Sequence, residues 1–224
     1  MLNDILKKFA ASGWDLIAAP SKKWLAGEEN RDELLTAIRQ ASAECSINGC
    51  EYDPLYKQAL ELLRFRPMRR TGQQLPDAEA RDILTRRTAG TLALMGDDGY
   101  PYAVPLSYAF CDGKLYFHCA KTGNKIDAIR RCDKASFCVI DRDDVIPEDY
   151  TTHYRSVIAF GRVRILESAI EMRAAIEAIT AKYSPDVPGT AAAIDNGMSN
   201  LGIIEFTIEH LTGKEALDLA KQRA

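Results

Sequence analysis

The chain has 224 residues, 46% hydrophobic and 27% charged, with a net charge of −3. This composition excludes wholesale disorder, and the near balance of charge gives no global reason to expect nucleic acid or an anionic membrane as partner. No apolar run approaches the ~20 residues of a membrane span, and the opening MLNDILKKFAASGWDLIAAP lacks the basic start and continuous apolar core of a secretory signal. With six cysteines and no such signal, free thiols in a cytoplasmic protein are the expectation.

Residues 1 to 64 read as helix. Leu2, Ile5, Leu6 and Phe9 are spaced for one helical face, and Leu34, Leu35, Ile38 and Ala41 repeat the spacing after a plausible N-cap at Asn30. A third helix starts at DPLYKQALELL, where Asp53 can cap, Pro54 suits the first turn, and Leu55, Ala59 and Leu62 form a stripe. RFRPMRRTGQQLP then breaks the pattern. This places a helical extension at 1–66 and a second domain at 67–224. Its cations, Arg64, Arg66, Arg69 and Arg70, come without an aromatic platform or a recognition helix, so a solvated linker is the better reading than a nucleic-acid site.

A short helix, PDAEARDILTRRT, is expected to be capped at Asp77, and six strand-like runs follow: GTLALMG, YPYAVPLSYAF, KLYFHCA, KASFCVI, YRSVIAFGRVRIL and LGIIEFTIEHL. The breaks DDG and CDGK have the Asp-Gly chemistry of tight hairpins, which means antiparallel pairing. The expected class is α+β, mainly β: a six-stranded antiparallel barrel decorated by helices. One of these is ESAIEMRAAIEAITAKY, with Ile170, Ala174, Ile176 and Ile179 among its apolar positions; SPDVPGTAAAIDNGMSN reads as a loop with about one helical turn.

Two stretches could carry chemistry. YPYAVPLSY contains Pro101 and Pro105, which cannot donate to a ladder; the strand is either an irregular edge or a place where the backbone serves a ligand. In YFHCAKTGNKIDAIRR a strand ends at His118 and Cys119, and Thr122, Gly123 and Asn124 lie where a helix begins. Free amides and the positive helix end there, with Lys121 and Lys125, are the parts of a phosphate site; an ordinary helix start with solvated lysines has the same parts. The acidic run DRDDVIPED lacks the glycine and terminal glutamate of a calcium loop, and Cys45 and Cys50 alone make a poor zinc signature. No metal site is expected.

The succession MRR, GTLALMGDDGYPYAVPLSYAFCDGKLYFHCAKTGNKIDAIRR, SFCVI, YRSVIAFGRV and IEFTIEHLTGKEA, over about residues 67 to 216, resembles the pyridoxamine 5'-phosphate oxidase-like FMN-binding split barrels, and within them the nitroimidazole-resistance branch. The resemblance implies an FMN-dependent oxidoreductase acting on a small aromatic or nitroaromatic acceptor. The strand matching Val104, Pro105, Leu106 and Ser107 would lie along the flavin ring. The segment matching His118, Cys119, Asn124 and Lys125 would hold the phosphate. Arg155, Ser156 and Val157 match the segment that reaches the flavin from the other subunit of a homodimer. His118 matches the histidine near the flavin and is the candidate proton donor, since an unperturbed imidazole titrates near about pH 6.5. Pyridoxamine-phosphate oxidase activity itself is not implied: Asn124 and Gly123 stand where those enzymes have arginine and serine, and their carboxyl-terminal arginine motif is not apparent in IEHLTGKEALDLAKQRA. Related barrels bind haem, so a haem-binding or flavin-carrying protein is the alternative, with His118, His153 or His210 as axial ligand.

Overall fold

The computed structural model describes residues 2–48, 50–66 and 68–223. The chain divides into two compact units, Met1–Pro67 and Met68–Ala224. Among the described residues no helix is long and apolar enough to cross a membrane.

The first unit holds α1 (Leu2–Ala10), α2 (Asp15–Leu25), α3 (Arg31–Asn48) and α4 (Asp53–Leu62), one helix more than the periodicity predicts. Gly13, at φ 74, turns the chain between α1 and α2, and Pro20 inside α2 obscures its helical signal. Leu6, Phe9, Ile17, Leu34, Ile38, Tyr56 and Ala59 close the core. Asn30 does not cap with its oxygen; its amide donates to the Pro20 carbonyl at 2.8 Å and so joins the start of α3 to α2. Asp53 likewise lies inside its helix and pairs with Lys57 instead. The free-thiol expectation fails for one pair: the turn after α3 brings the Cα atoms of Cys45 and Cys50 to 5.3 Å, and the two are disulfide-bonded. Cys111, Cys119, Cys132 and Cys138 are free.

The second unit begins with α5 (Asp77–Arg86), where Pro76 takes the cap position and Asp77, the expected cap, is the first helical residue and pairs with Arg81. Next come β1 (Ala89–Met95), β2 (Pro101–Ser107), β3 (Ala109–Cys111), β4 (Lys114–Ala120), α6 (Asn124–Arg131), β5 (Lys134–Ile146) and β6 (Thr151–Ile165). The chain continues through α7 (Ala169–Tyr183), α8 (Thr190–Gly197), β7 (Leu201–Glu215) and α9 (Leu217–Arg223). Pairing is antiparallel throughout, in the order β2-β1-β5-β6-β7-β4-β3. The strands number seven rather than six because YPYAVPLSYAF breaks at Tyr108: β2 pairs with β1, whereas β3 pairs with β4. The two outer strands of the sheet are thus consecutive in sequence, and the sheet curls into a split barrel. The β3–β4 connection has Asp112 at φ 50 and Gly113 at φ 76, the left-handed pair a two-residue hairpin needs.

Leu92, Leu94, Leu115, Phe117, Phe137, Val139, Val157, Ala159, Ile204 and Phe206 point into the barrel. Their alternation with outward residues is what makes these segments strands. At Gly161, beside the β6–β7 bulge, a Cβ would stand 2.0 Å from the Thr207 carbonyl oxygen, so this crossing requires glycine. α7 packs on the outside of the barrel through Met172, Ala175, Ile176 and Ile179, whereas Ile170 is exposed, so the buried stripe is displaced from the predicted one. The segment read as a loop contains α8, a helix of two turns.

Beneath α7 lies a buried carboxylate, Glu205, held by Arg164 at 2.7 Å and Lys114 at 3.0 Å. Burial alone would raise its pKa, but the Arg164 and Lys114 hydrogen bonds outweigh burial and hold it below the ordinary 4.5. Asp141, buried and paired with Arg86 and Arg87, is likewise held below 3.8 against its burial. A carboxyl depressed in the folded state contributes stability that is complete above its unfolded pKa and is lost as pH falls through the folded value. Urea midpoints should therefore hold steady from pH 7 to about 5 and fall below the ordinary values of 4.5 and 3.8. Glu205→Gln should lower the neutral midpoint and flatten this acid limb; an unchanged acid limb would show that Glu205 carries none of it.

Candidate flavin seam

The split in the barrel follows from register. Ala109 faces Tyr116 and Cys111 faces Lys114. Continued backward, that ladder would set Ser107 against His118 and Pro105 against Ala120. The pairing stops at Tyr108 because another group takes its backbone. The Tyr183 hydroxyl, from the last residue of α7, accepts the Tyr108 N–H at 3.0 Å and lies against the Tyr108 carbonyl at 2.9 Å and the Thr88 carbonyl. Beyond this wedge β2 turns to β1, and Pro105 has no N–H with which to pair back. A seam opens with Pro105 to Ser107 on one lip and His118 to Ala120 on the other.

The pleat sorts the predicted residues on these lips. Pro105, Ser107 and His118 are exposed on the outer face. Val104, Leu106 and Cys119 instead turn their side chains to the barrel core, so only their backbone can line a ligand on the outer face. Burial pushes the Cys119 thiol up while the nearby Lys125 charge pulls it back.

At the end of β4 the chain enters α6 through Gly123, at φ 119 with open space where a Cβ would stand. The Gly123 carbonyl accepts the Ile126 and Asp127 N–H groups; those of Asn124 and Lys125 precede the first intrahelical bond and are available to an anion. Among the described residues Lys125 makes no hydrogen bond or ion pair. Lys121 is different: its ammonium donates to the Ser199 carbonyl, so of the two lysines only Lys125 is left without a partner among the described residues.

Arg155, Ser156 and Val157 are not brought to the seam of their own chain. Along β7, His118 pairs opposite Ile203 and Val157 opposite Gly213, roughly 33 Å of strand apart. Val157 is fully buried in the core. Arg155 is held by Glu215 at 2.9 Å and Glu79 at 3.3 Å. Between these two regions the outer face of β1, β2, β5 and β6 carries Ala93, Ala103, Cys138, Ile140, Ile158 and Phe160 without a charge among them, and Ile140 is 62% exposed. Sequence reasoning missed Tyr183, whose role as a wedge depends on two carbonyls and an amide some 75 and 95 residues away in the chain.

A family model described as pyridoxamine 5'-phosphate oxidase matches residues 76–215. The chain belongs to that family. No curated protein matches the sequence. Solved structures share the fold of this oxidase-family barrel. One is a candidate 5-nitroimidazole antibiotic resistance protein of Bacteroides thetaiotaomicron, 21% identical, covering 63% of this chain and 86% of its own, at TM-score 0.57. A conserved hypothetical protein of Mycobacterium tuberculosis, also 21% identical, covers 66% and 90% at TM-score 0.59. The FAD and haem binding protein of Mycobacterium smegmatis, 19% identical, covers 68% and 80% at TM-score 0.55.

Proposed function

We propose that this family member holds FMN in the seam of a homodimer and acts as an oxidoreductase on a small aromatic or nitroaromatic acceptor. One observation carries the reading: the same opening presents two exposed strand lips, a helix start with free amides, and a lysine without a partner among the described residues. The α6 amides and Lys125 suit a phosphate dianion, and the backbone of 104–107 suits the edge of a planar ring. His118 stands on the opposite lip, where it can donate a proton to an acceptor that is being reduced. When bound, the flavin supplies the two-electron chemistry; the protein supplies its placement. The uncharged patch of Ala93, Ala103, Cys138, Ile140, Ile158 and Phe160 on the outer face supports a second copy as the surface that covers it, and that copy would bring its own 155–157 segment to a seam this chain cannot reach with its own.

The absorption spectrum of the purified protein and an FMN titration followed by quenching of flavin fluorescence test the reading. Flavin bands, saturation at one FMN per chain and a dimeric mass by light scattering are the expected results. Failure to bind FMN would sink it. A Soret band would favour the haem alternative, which the likeness to a FAD and haem binding protein keeps in view.

A further inference from the structure

α8, with sequence TAAAIDNG, buries none of its residues although Ala191, Ala192, Ala193 and Ile194 occupy half of it. Its position is set by polar ties: Asp195 pairs with Arg173 of α7, and the Ser199 carbonyl just beyond it accepts Lys121. Beneath it lies a solvent-open groove of about 350 Å³ bounded by Ile176, Thr180 and Ser184 of α7, Ala193 and Ile194 of α8, and Leu201 of β7. Ligand sites are mainly apolar hollows of about 300–1,000 Å³, a range that includes this groove.

The lining defines what could enter. Thr180 donates its hydroxyl to the Ile176 carbonyl, and Thr190 at the rim donates to the Val187 carbonyl, so both are turned back on their own backbone. The neighbouring charges are matched among themselves, Arg173 with Glu177 and Asp195. Among the described residues no charged side chain lines the groove. Small residues keep the space open: Gly197 lines it at an ordinary helical φ of −83, and a Cβ there would meet nothing within 4 Å. The groove also adjoins the seam, since Leu201 pairs with Ala120 on the His118 lip.

We infer that the hollow beneath α8 is a binding site for one small, uncharged, apolar molecule, separate from the flavin seam. It accepts a small ring system and rejects carboxylates and phosphates of the same size, because burying an unpaired charge against this wall is costly. The groove is open to solvent, so a ligand enters without displacing α8.

The test uses the full chain and the neutral probe N-phenyl-1-naphthylamine, whose fluorescence rises in apolar surroundings. A single saturable site is expected, with affinity unchanged within about twofold by saturating FMN. Gly197→Phe and Ala193→Leu, two independent ways of filling the groove, should each weaken the probe at least tenfold while thermal unfolding and FMN affinity stay as in the parent. Absence of saturable binding, parental affinity for the probe in both filled variants, or competition between FMN and the probe would each overturn the inference. A protein that binds the probe as described yet never binds FMN would uphold this site and overturn the flavin reading instead.

Discussion

Lys125→Ala should lower FMN affinity by about tenfold to a hundredfold, since a hydrogen bond to a charged group is worth about 1.5–3 kcal/mol and about 1.4 kcal/mol corresponds to each factor of ten. Its stability should change by no more than about 0.5 kcal/mol, as expected for a surface substitution, because Lys125 has no hydrogen-bond or ion-pair partner among the described residues. That separation makes the test sharp: a flavin anchor costs binding and leaves the fold alone. Lys121→Ala should cost FMN much less, since that ammonium is engaged by the Ser199 carbonyl. Fluorescence titration and urea unfolding of both variants check this. Unchanged FMN affinity in Lys125→Ala would remove the turn before α6 as the phosphate site.

Tyr183→Phe should cost about 2 kcal/mol of stability and weaken FMN at least threefold. The hydroxyl accepts the Tyr108 N–H and shares its one proton between the Tyr108 and Thr88 carbonyls, so about two hydrogen bonds are lost at about 0.5–1.5 kcal/mol each. The sum is reduced because Tyr183 is 37% exposed, so water can replace part of what is lost. The loss of flavin has a separate cause: without the wedge the Tyr108 backbone is released and the Ser107 lip can shift relative to His118. A urea midpoint and an FMN titration read the two effects apart. Lowered stability with full FMN affinity would make Tyr183 a brace for the fold with no part in the seam.

The elements of the barrel were legible because local chemistry decides them. Alternating Leu92, Leu94, Phe117, Phe137 and Phe206 announce strands, and Asp112-Gly113 announces a hairpin. The helix start at Gly123 with Lys125 beside it was legible for the same reason: a glycine at positive φ and a helix end act within a few residues. The errors lie where long-range contacts override local pattern. A continuous strand was expected through Tyr108, but a hydroxyl from α7 takes its backbone and splits it into β2 and β3. Lys121 and Lys125 look equivalent in sequence, yet one is tied to the loop after α8.

By itself the sequence determined the class of fold, the helical extension ahead of it, and the two stretches, a proline-interrupted strand and a glycine-led helix start, on which the flavin proposal rests. Those properties rest on spacing, turn chemistry and helix ends, all of them short-range. Only the tertiary structure decided that the two stretches face each other across one seam, that Val104, Leu106 and Cys119 turn their side chains away from it, and that residues 155–157 lie roughly 33 Å of strand away along β7. The physical reason is register: the pairing of β4 and β6 along β7, together with the wedge at Tyr108, sets positions that no local stretch of chain encodes.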